Sequence, residues 1–333
     1  KTGSSGVFTG IMAVGLAYIL VALIIKFVGV NWLQKLLPPI IIGPMIMIIG
    51  LGLAPTAIDS IGISSSSKFI WQNVVVALIT FITTAMVATK AKGFFKVIPF
   101  LVGIVVGYIS ACLFGLVDFK PVLEAAWFSI PKFKFPFINY KPDFDALIII
   151  LPIVLVTISE HIGDHTVLGT IIGKDLIKNP GLDKTLLGDG IATFVAGFIG
   201  GPANTTYGEN TSVVGMSKIA SIYVLRLAAI FAISLGFMGK FTALVSTIPN
   251  CVLGGVSLLL YGFIAVNGLK VLVENKVDFN KNKNVIVSAS MLVIGLGGAA
   301  ISLTIKDFSL SISGMALAAI VGIILNVSLK EEN

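Results

Sequence analysis

Two acidic residues and two histidines stand close together in an otherwise apolar stretch, from Ser159 to His165. Glu160 and Asp164 are four residues apart, which places both carboxylates on one face of a helix. His161 and His165 form a second pair with the same spacing. A zinc-protease motif needs its Glu between the two histidines, so this order of residues excludes it. Ionisable groups at membrane depth are costly and normally face a cavity or a partner, so the cluster predicts a functional site.

Part of this cluster also fits a structural alternative, in which a helix ends and emerges into water after Asp164 and His165. Two glycines and a lysine follow them, at Gly169, Gly173 and Lys174. Ten mostly apolar residues precede Glu160. The alternative is therefore weaker for the Glu160 carboxylate than for its neighbours.

A second polar stretch, rich in helix breakers, separates two apolar runs between Gly200 and Asn210. It reads Gly-Gly-Pro-Ala-Asn-Thr-Thr-Tyr-Gly-Glu-Asn. Backbone amides freed from helical pairing are tolerated at membrane depth only where they are buried in protein or line a cavity. Such a segment can present N–H donors and the Glu209 carboxylate to one ligand, and a half-helix from Thr211 would have a partly positive amino end. The alternative is an ordinary extracellular loop, and Glu209 favours the site.

The other polar groups in apolar runs are interpreted as structural. Asp189 lies between two glycines and is predicted to cap the start of the sixth span. Arg226 is predicted to extend its side chain to the cytoplasmic face beside Lys218. Cys112 and Cys251 are far apart in apolar runs, so they predict packing residues and neither a disulfide framework nor a metal site.

The composition excludes a water-soluble globular protein. Of the 333 residues, 56% are hydrophobic and 12% are charged, whereas soluble domains carry about 25% charged residues. The net charge of +7 does not indicate nucleic acid, because a basic groove needs clustered Lys and Arg interleaved with aromatic residues, and here the charges lie between apolar runs. The predicted partner is the lipid bilayer.

A helix needs about 20 mostly apolar residues to cross the hydrocarbon core of a membrane. Roughly eleven candidate runs predict an all-α polytopic protein, and they lie near residues 7–30, 39–55, 73–89, 97–117, 146–163, 186–200, 211–218, 221–238, 250–266, 285–303 and 312–329. The seventh run is too short to cross alone. It predicts half of a broken helix or a re-entrant piece.

Lysines are unevenly distributed between alternate loops, and cytoplasmic loops are the ones enriched in Lys and Arg. One side carries Lys90, Lys92 and Lys96 in one loop and Lys270, Lys276, Lys281 and Lys283 in another. This asymmetry predicts a cytoplasmic carboxyl end and an outward first residue. The hydrophilic loop 118–145, with Pro131, Pro136, Pro142 and several aromatic residues, predicts an extended cover on the outer surface.

The two polar stretches resemble the signatures of the nucleobase-cation symporter 2 family, also called nucleobase-ascorbate transporters. Four further segments are similar to its bacterial uracil permease branch: Lys174-Asp175-Leu176, Asn179-Pro180-Gly181-Leu182, Gly254 to Gly262 and Glu274-Asn275-Lys276-Val277-Asp278. The resemblance covers nearly the whole chain.

The resemblance implies a fold of fourteen spans in two inverted seven-span repeats, with a core that moves against a gate. This chain would begin before the fourth span, without the first three and without a backbone contact that the third contributes. The implied ranges are 1–35 and 146–248 for the core, 36–117 and 249–333 for the gate, and 118–145 for the outer loop. A short extended strand is implied in the broken span near 203–209.

The resemblance also implies a substrate site. Glu160 and Glu209 would hydrogen-bond the polar edge of a pyrimidine, the Gly208 amide would contact a carbonyl, Tyr207 lies beside them, and Tyr261 would face the site from the gate. Asp164 stands where the family often has His. Two like charges in one cavity favour uptake of a proton, so Glu160, Asp164 and His161 are the candidate proton-coupling residues.

The predicted function is import of uracil across the cytoplasmic membrane by proton symport with alternating access. A purine symporter for xanthine or urate, and an incomplete membrane protein inactive in transport, remain as alternatives. The resemblance implies a homodimer. No enzymatic activity, cofactor, metal or nucleic-acid partner is predicted.

Overall fold

The computed structural model describes residues 3–65, 69–143, 147, 153–305, 308–312 and 314–329. Helices dominate the described chain. In chain order they are α1 (Gly3–Val28), α2 (Asn31–Leu36), α3 (Pro39–Gly52), α4 (Ala54–Ile61), α5 (Trp71–Lys90), α6 (Pro99–Leu113), α7 (Lys120–Glu124), α8 (Ile153–Ile172), α9 (Leu182–Phe198), α10 (Gly208–Ser217), α11 (Ile222–Gly236), α12 (Gly239–Ser246), α13 (Asn250–Glu274), α14 (Asn282–Leu296) and α15 (Gly314–Ser328). Two strands, β1 (Ile301–Ile305) and β2 (Phe308–Ile312), precede α15.

Each of the apolar runs found in the sequence overlaps a helix of the described chain. Within the described residues, four helical stretches are long and apolar enough to cross a membrane, at Ser5–Val28, Pro39–Ile61, Trp71–Lys90 and Asn250–Glu274. Four shorter apolar helices are α6, α11, α14 and α15. The start of the predicted fifth span falls largely outside the described residues. These helices agree with a multi-pass helical membrane protein, while the fourteen-span repeat stays a prediction.

Two local predictions differ from the structure. Residues 201–207 form neither helix nor strand, so the implied strand near 203–209 is absent, and within the described chain no strand lies beside this segment to pair with it. The predicted tenth span, 285–303, ends as a helix at Leu296 and continues into β1, which pairs antiparallel with β2. The sequences Ile-Ser-Leu-Thr-Ile and Phe-Ser-Leu-Ser-Ile alternate apolar and polar residues, which is the period of a strand.

The chain folds into two units. The first comprises Lys1–Gly52, Phe133–Thr211 and Ile264–Asn333, and its core includes Ile41, Met45, Ile158, Leu186 and Met291. The second comprises Leu53–Lys132 and Ser212–Phe263, with Val76, Ala77, Ala111 and Val252 at its centre. These boundaries differ from the core and gate ranges, which describe moving parts and stay a prediction.

Hydrogen bonds and ring packing attach residues 133–143 of the predicted outer loop to helices of the first unit. The Lys134 N–H donates to the Ile199 carbonyl at 3.0 Å, and the Asp143 N–H donates to the Thr9 hydroxyl at 3.0 Å. The Phe135 ring packs edge-on against Phe198 at 5.9 Å between centroids. Residues 133–143 therefore lie against the ends of α1 and α9, while residues 144 and 145 lie outside the described chain.

Glycines bring α1 and α9 into backbone contact. A Cβ atom at Gly190 would lie 2.9 Å from both the Gly15 carbonyl oxygen and the Ile19 nitrogen, and one at Gly197 would lie 2.8 Å from the Met12 nitrogen. Small residues at helix crossings let backbones approach this closely. The crossing holds α9 in place, and α9 carries one of the polar residues described below.

We expect Gly190→Ala to destabilise the protein by about 1–3 kcal/mol, because the added methyl group would meet backbone atoms that cannot rotate away. Thermal unfolding of the purified protein in detergent measures the effect. Gly188→Ala is the matched control, since a Cβ atom there would meet nothing within 4 Å. Equal melting temperatures for the two variants would contradict the close approach of α1 and α9.

Candidate functional site

Helix α8 carries the predicted acidic cluster into the interior of the first unit. The exposed fractions are 9% for Glu160, 2% for His161 and 5% for Asp164. The helix continues to Ile172, well beyond Asp164. The alternative of a helix end emerging into water at Asp164 is therefore wrong, and the three polar side chains require polar partners inside the fold.

His161 has oxygen partners at both ring nitrogens. Its Nδ1 lies 2.9 Å from Oδ2 of Asp189 and 2.7 Å from Oγ1 of Thr206. Its Nε2 lies 2.9 Å from Oγ1 of Thr185. The His165 ring stacks on the His161 ring at 4.0 Å between centroids, and its Nδ1 lies 2.9 Å from the His161 carbonyl oxygen. His161 thus joins α8, α9 and the segment before α10.

Asp189 belongs to this cluster, so its interpretation as a helix cap is wrong. It lies inside α9, which begins at Leu182, and its carboxylate accepts hydrogen bonds from His161 and from the Thr206 hydroxyl, the latter at 3.2 Å. The available signal was an acidic residue in the middle of an apolar run. Its pairing with His161 could not be read, because 28 residues separate the two in the sequence.

The irregular segment 201–207 contacts α8 and α9 through two adjacent threonines. The Thr205 hydroxyl donates to Oε2 of Glu160 at 3.2 Å, and Thr206 bonds His161 and Asp189 as described. Consecutive residues of the segment therefore meet consecutive residues of α8. Sequence reasoning found the segment but did not single out these two hydroxyl groups.

Helix α10 begins at Gly208, directly beside the Asp164 carboxylate. A Cβ atom at Gly208 would lie 3.0 Å from Oδ1 of Asp164 and 2.8 Å from Nδ2 of Asn267, on α13. The amino end of a helix carries partial positive charge and exposes backbone N–H groups, so it favours a carboxylate and can bind an anionic or carbonyl oxygen. The absent side chain at Gly208 leaves the room for both neighbouring groups.

For the remaining predicted residues, the structure gives the element or unit to which each belongs, or its exposure. Tyr207 is 56% exposed, and Tyr261 belongs to the second unit. Glu209 is the second residue of α10, and its side chain lies outside the described part of the structure. Arg226 is exposed on α11. Among the described residues, no group of three His, Cys, Asp or Glu side chains could hold a metal ion.

The site brings together carboxylates that accept hydrogen bonds and a helix amino end that donates them. This combination can recognise a small ring whose edge alternates N–H groups and carbonyl oxygens. Polar groups around an interrupted helix in a multi-pass membrane protein are typical of secondary transporters. The fold and the site together define that class of protein.

Comparison with known proteins identifies the family. The sequence model of a protein family described as Permease family (Xan_ur_permease) matches residues 2–304. The chain therefore belongs to this permease family, in agreement with the resemblance to nucleobase-ascorbate transporters.

Three similar relatives are uracil permeases by name. That of Bacillus caldolyticus is 46% identical over 98% of this chain and 76% of its own length. That of Bacillus subtilis (strain 168) is 44% identical over 99% of this chain and 77% of its own length. That of Paenibacillus larvae subsp. larvae is 42% identical over 96% and 75%, respectively.

Proposed function

We propose that this protein carries uracil across the cell membrane and couples its movement to a proton. The single observation that carries the proposal is the buried carboxylate of Glu160 on α8. It lies on the same face of α8 as Asp164, whose carboxylate is next to Gly208 at the start of α10. The relatives named uracil permease, at 42–46% identity, support the choice of substrate.

Uracil offers two ring N–H groups and two carbonyl oxygens. Glu160 accepts the Thr205 hydroxyl, and a carboxylate has about four lone-pair sites, so it can also accept one ring N–H group. Glu209 is proposed to accept a second ring N–H, and the Gly208 amide to donate to a ring carbonyl. Tyr207 and Tyr261 are proposed to enclose the ring. This arrangement would reject a ring with the opposite order of donors and acceptors.

The coupled proton is proposed to reside on Glu160 or Asp164. Two carboxylates one helical turn apart repel each other when both are ionised, and a proton on either removes the repulsion. His161 is proposed to assist through its bond to Asp189. Binding of uracil beside Glu160 and binding of the proton are then thermodynamically linked.

Transport is proposed to follow alternating access, with a core of residues 1–35 and 146–248 that moves against a gate of residues 36–117 and 249–333. The proposed orientation places the carboxyl end in the cytoplasm, because the predicted topology puts it on the same side as the lysine-rich loops and cytoplasmic loops are enriched in Lys and Arg. We further propose a homodimer in the cytoplasmic membrane.

The proposal is tested by uptake of labelled uracil into cells that produce the protein, in a host without its own uracil permease. We expect saturable uptake that excess unlabelled uracil abolishes, that excess xanthine leaves unchanged and that an uncoupler suppresses. Full competition by xanthine would replace uracil by a purine as substrate. Uptake that is indifferent to the uncoupler would contradict proton coupling.

A further inference from the structure

Four side chains form a polar cluster that is separate from the proposed substrate contacts, and we call it the Thr206 node: Thr206, His161, Asp189 and Thr185. His161 is 2% exposed, and its partners come from α9 and from the irregular segment. None of the hydroxyl groups in the node is among the substrate contacts proposed above. The node therefore needs a role of its own.

A proton on His161 Nδ1 accounts for both contacts of that nitrogen, to Asp189 and to Thr206. The Thr206 hydroxyl donates to Asp189 at 3.2 Å, so its oxygen is the acceptor for His161 Nδ1–H at 2.7 Å. The same N–H points to Asp189 Oδ2 at 2.9 Å. Each donor on the Nδ1 side of the ring then has an acceptor, and hydrogen bonds to a charged acceptor in a buried site are the strong ones.

The segment that the node holds has no backbone ladder of its own. Residues 201–207 are neither helix nor strand, so side-chain bonds to neighbouring helices determine where their backbone lies. Thr206 is separated from Gly208 by one residue, and consecutive Cα atoms are about 3.8 Å apart. A shift at Thr206 is therefore transmitted directly to the start of α10.

We infer that Thr206, held by Asp189 and His161, is a positioning residue that sets where the amino end of α10 meets the substrate. The inference rests on the proposed function. Thr206 acts through the backbone of Gly208 and does not contact uracil. Thr205 is distinct, because its hydroxyl bonds Glu160 itself.

The test compares Thr206→Val, which keeps the shape but loses the hydroxyl, with Thr206→Ser, which keeps the hydroxyl. We expect Thr206→Val to raise the KM for uracil about tenfold, the effect of one buried hydrogen bond, at an equal amount of protein in the membrane. Thr206→Ser is expected to restore the wild-type KM. An unchanged KM in Thr206→Val, or an equal rise in Thr206→Ser, would overturn the inference.

A second readout follows the backbone without transport. In a protein with Cys112 and Cys251 replaced by Ala, the half-buried Asn204 is changed to Cys and its alkylation by a maleimide is timed. We expect Thr206→Val and Asp189→Asn each to accelerate alkylation several-fold, and Thr206→Ser to leave it unchanged. Equal rates in all variants would show that the node does not hold the segment. Failure of the wild type to take up uracil would instead refute the proposed function, and the alkylation rates would still test the node.

Discussion

Uracil uptake by a Glu160→Gln variant is expected to fall about 10- to 100-fold, because a charge-assisted hydrogen bond to a substrate N–H group is worth about 1.5–3 kcal/mol and an amide nitrogen cannot accept it. Glu160 is 9% exposed and already accepts the Thr205 hydroxyl. Gln can keep the Thr205 contact through its oxygen, but its NH2 group would face the ring N–H. Initial uptake rates over a range of uracil concentrations measure the loss. The motif predicts the same result for Glu209→Gln.

The matched control is Asp175→Asn, which also converts an acid to its amide in the first unit. Asp175 is exposed after α8, and Lys178 Nζ lies 3.1 Å from its Oδ2. The hydrogen bond from the Lys178 side chain holds the pKa of Asp175 below its ordinary value, so this control removes a full negative charge at neutral pH. We expect wild-type uptake in Asp175→Asn. Wild-type uptake in Glu160→Gln would remove Glu160 from the substrate site.

A Gly208→Ala variant is expected to lower kcat/KM for uracil uptake by about 10- to 100-fold, equivalent to about 1.4–2.7 kcal/mol. The added methyl group would lie 2.8 Å from Asn267 Nδ2 and 3.0 Å from Asp164 Oδ1. Both side chains would have to move away from the start of α10, which displaces a proposed proton site together with a proposed substrate contact. Rates are compared at equal amounts of protein, determined by immunoblot of the membranes.

Gly262→Ala on α13 is the control for this substitution, because a Cβ atom there would meet nothing within 4 Å. It adds the same methyl group to another apolar helix and is expected to leave uptake unchanged. Equal rates for Gly208→Ala and Gly262→Ala would mean that the crowding at Gly208 has no part in transport.

Most of the helical architecture could be predicted from the sequence, because the apolar runs are long and local. The runs near 7–30, 73–89 and 250–266 correspond to α1, α5 and α13. The hairpin of β1 and β2 was missed, since a count of apolar residues does not separate the period of a strand from that of a helix over so short a stretch. The glycines at 297 and 298, where φ of Gly298 is +73°, mark the end of α14.

The acidic cluster in α8 and the broken segment before α10 were likewise found from residue types alone. An ionisable group in an apolar run is unusual enough to be noticed without knowing its partner. The interpretation of Asp189 as a helix cap was wrong because its sequence neighbours pointed to a different role. Its two flanking glycines resemble a helix boundary, whereas in the fold Gly190 provides the contact with α1 and Asp189 faces His161.

By itself, the sequence determined that this is a multi-pass helical membrane protein of a permease family, and it predicted Glu160, Asp164 and Gly208 as residues of a site. Tertiary structure alone decided which groups meet. The bond of His161 to Thr206 spans 45 residues, and the approach of Asp164 to Gly208 joins two different helices. Such contacts depend on how helices cross, and the crossing is set by side-chain packing over the whole unit, which no local pattern records.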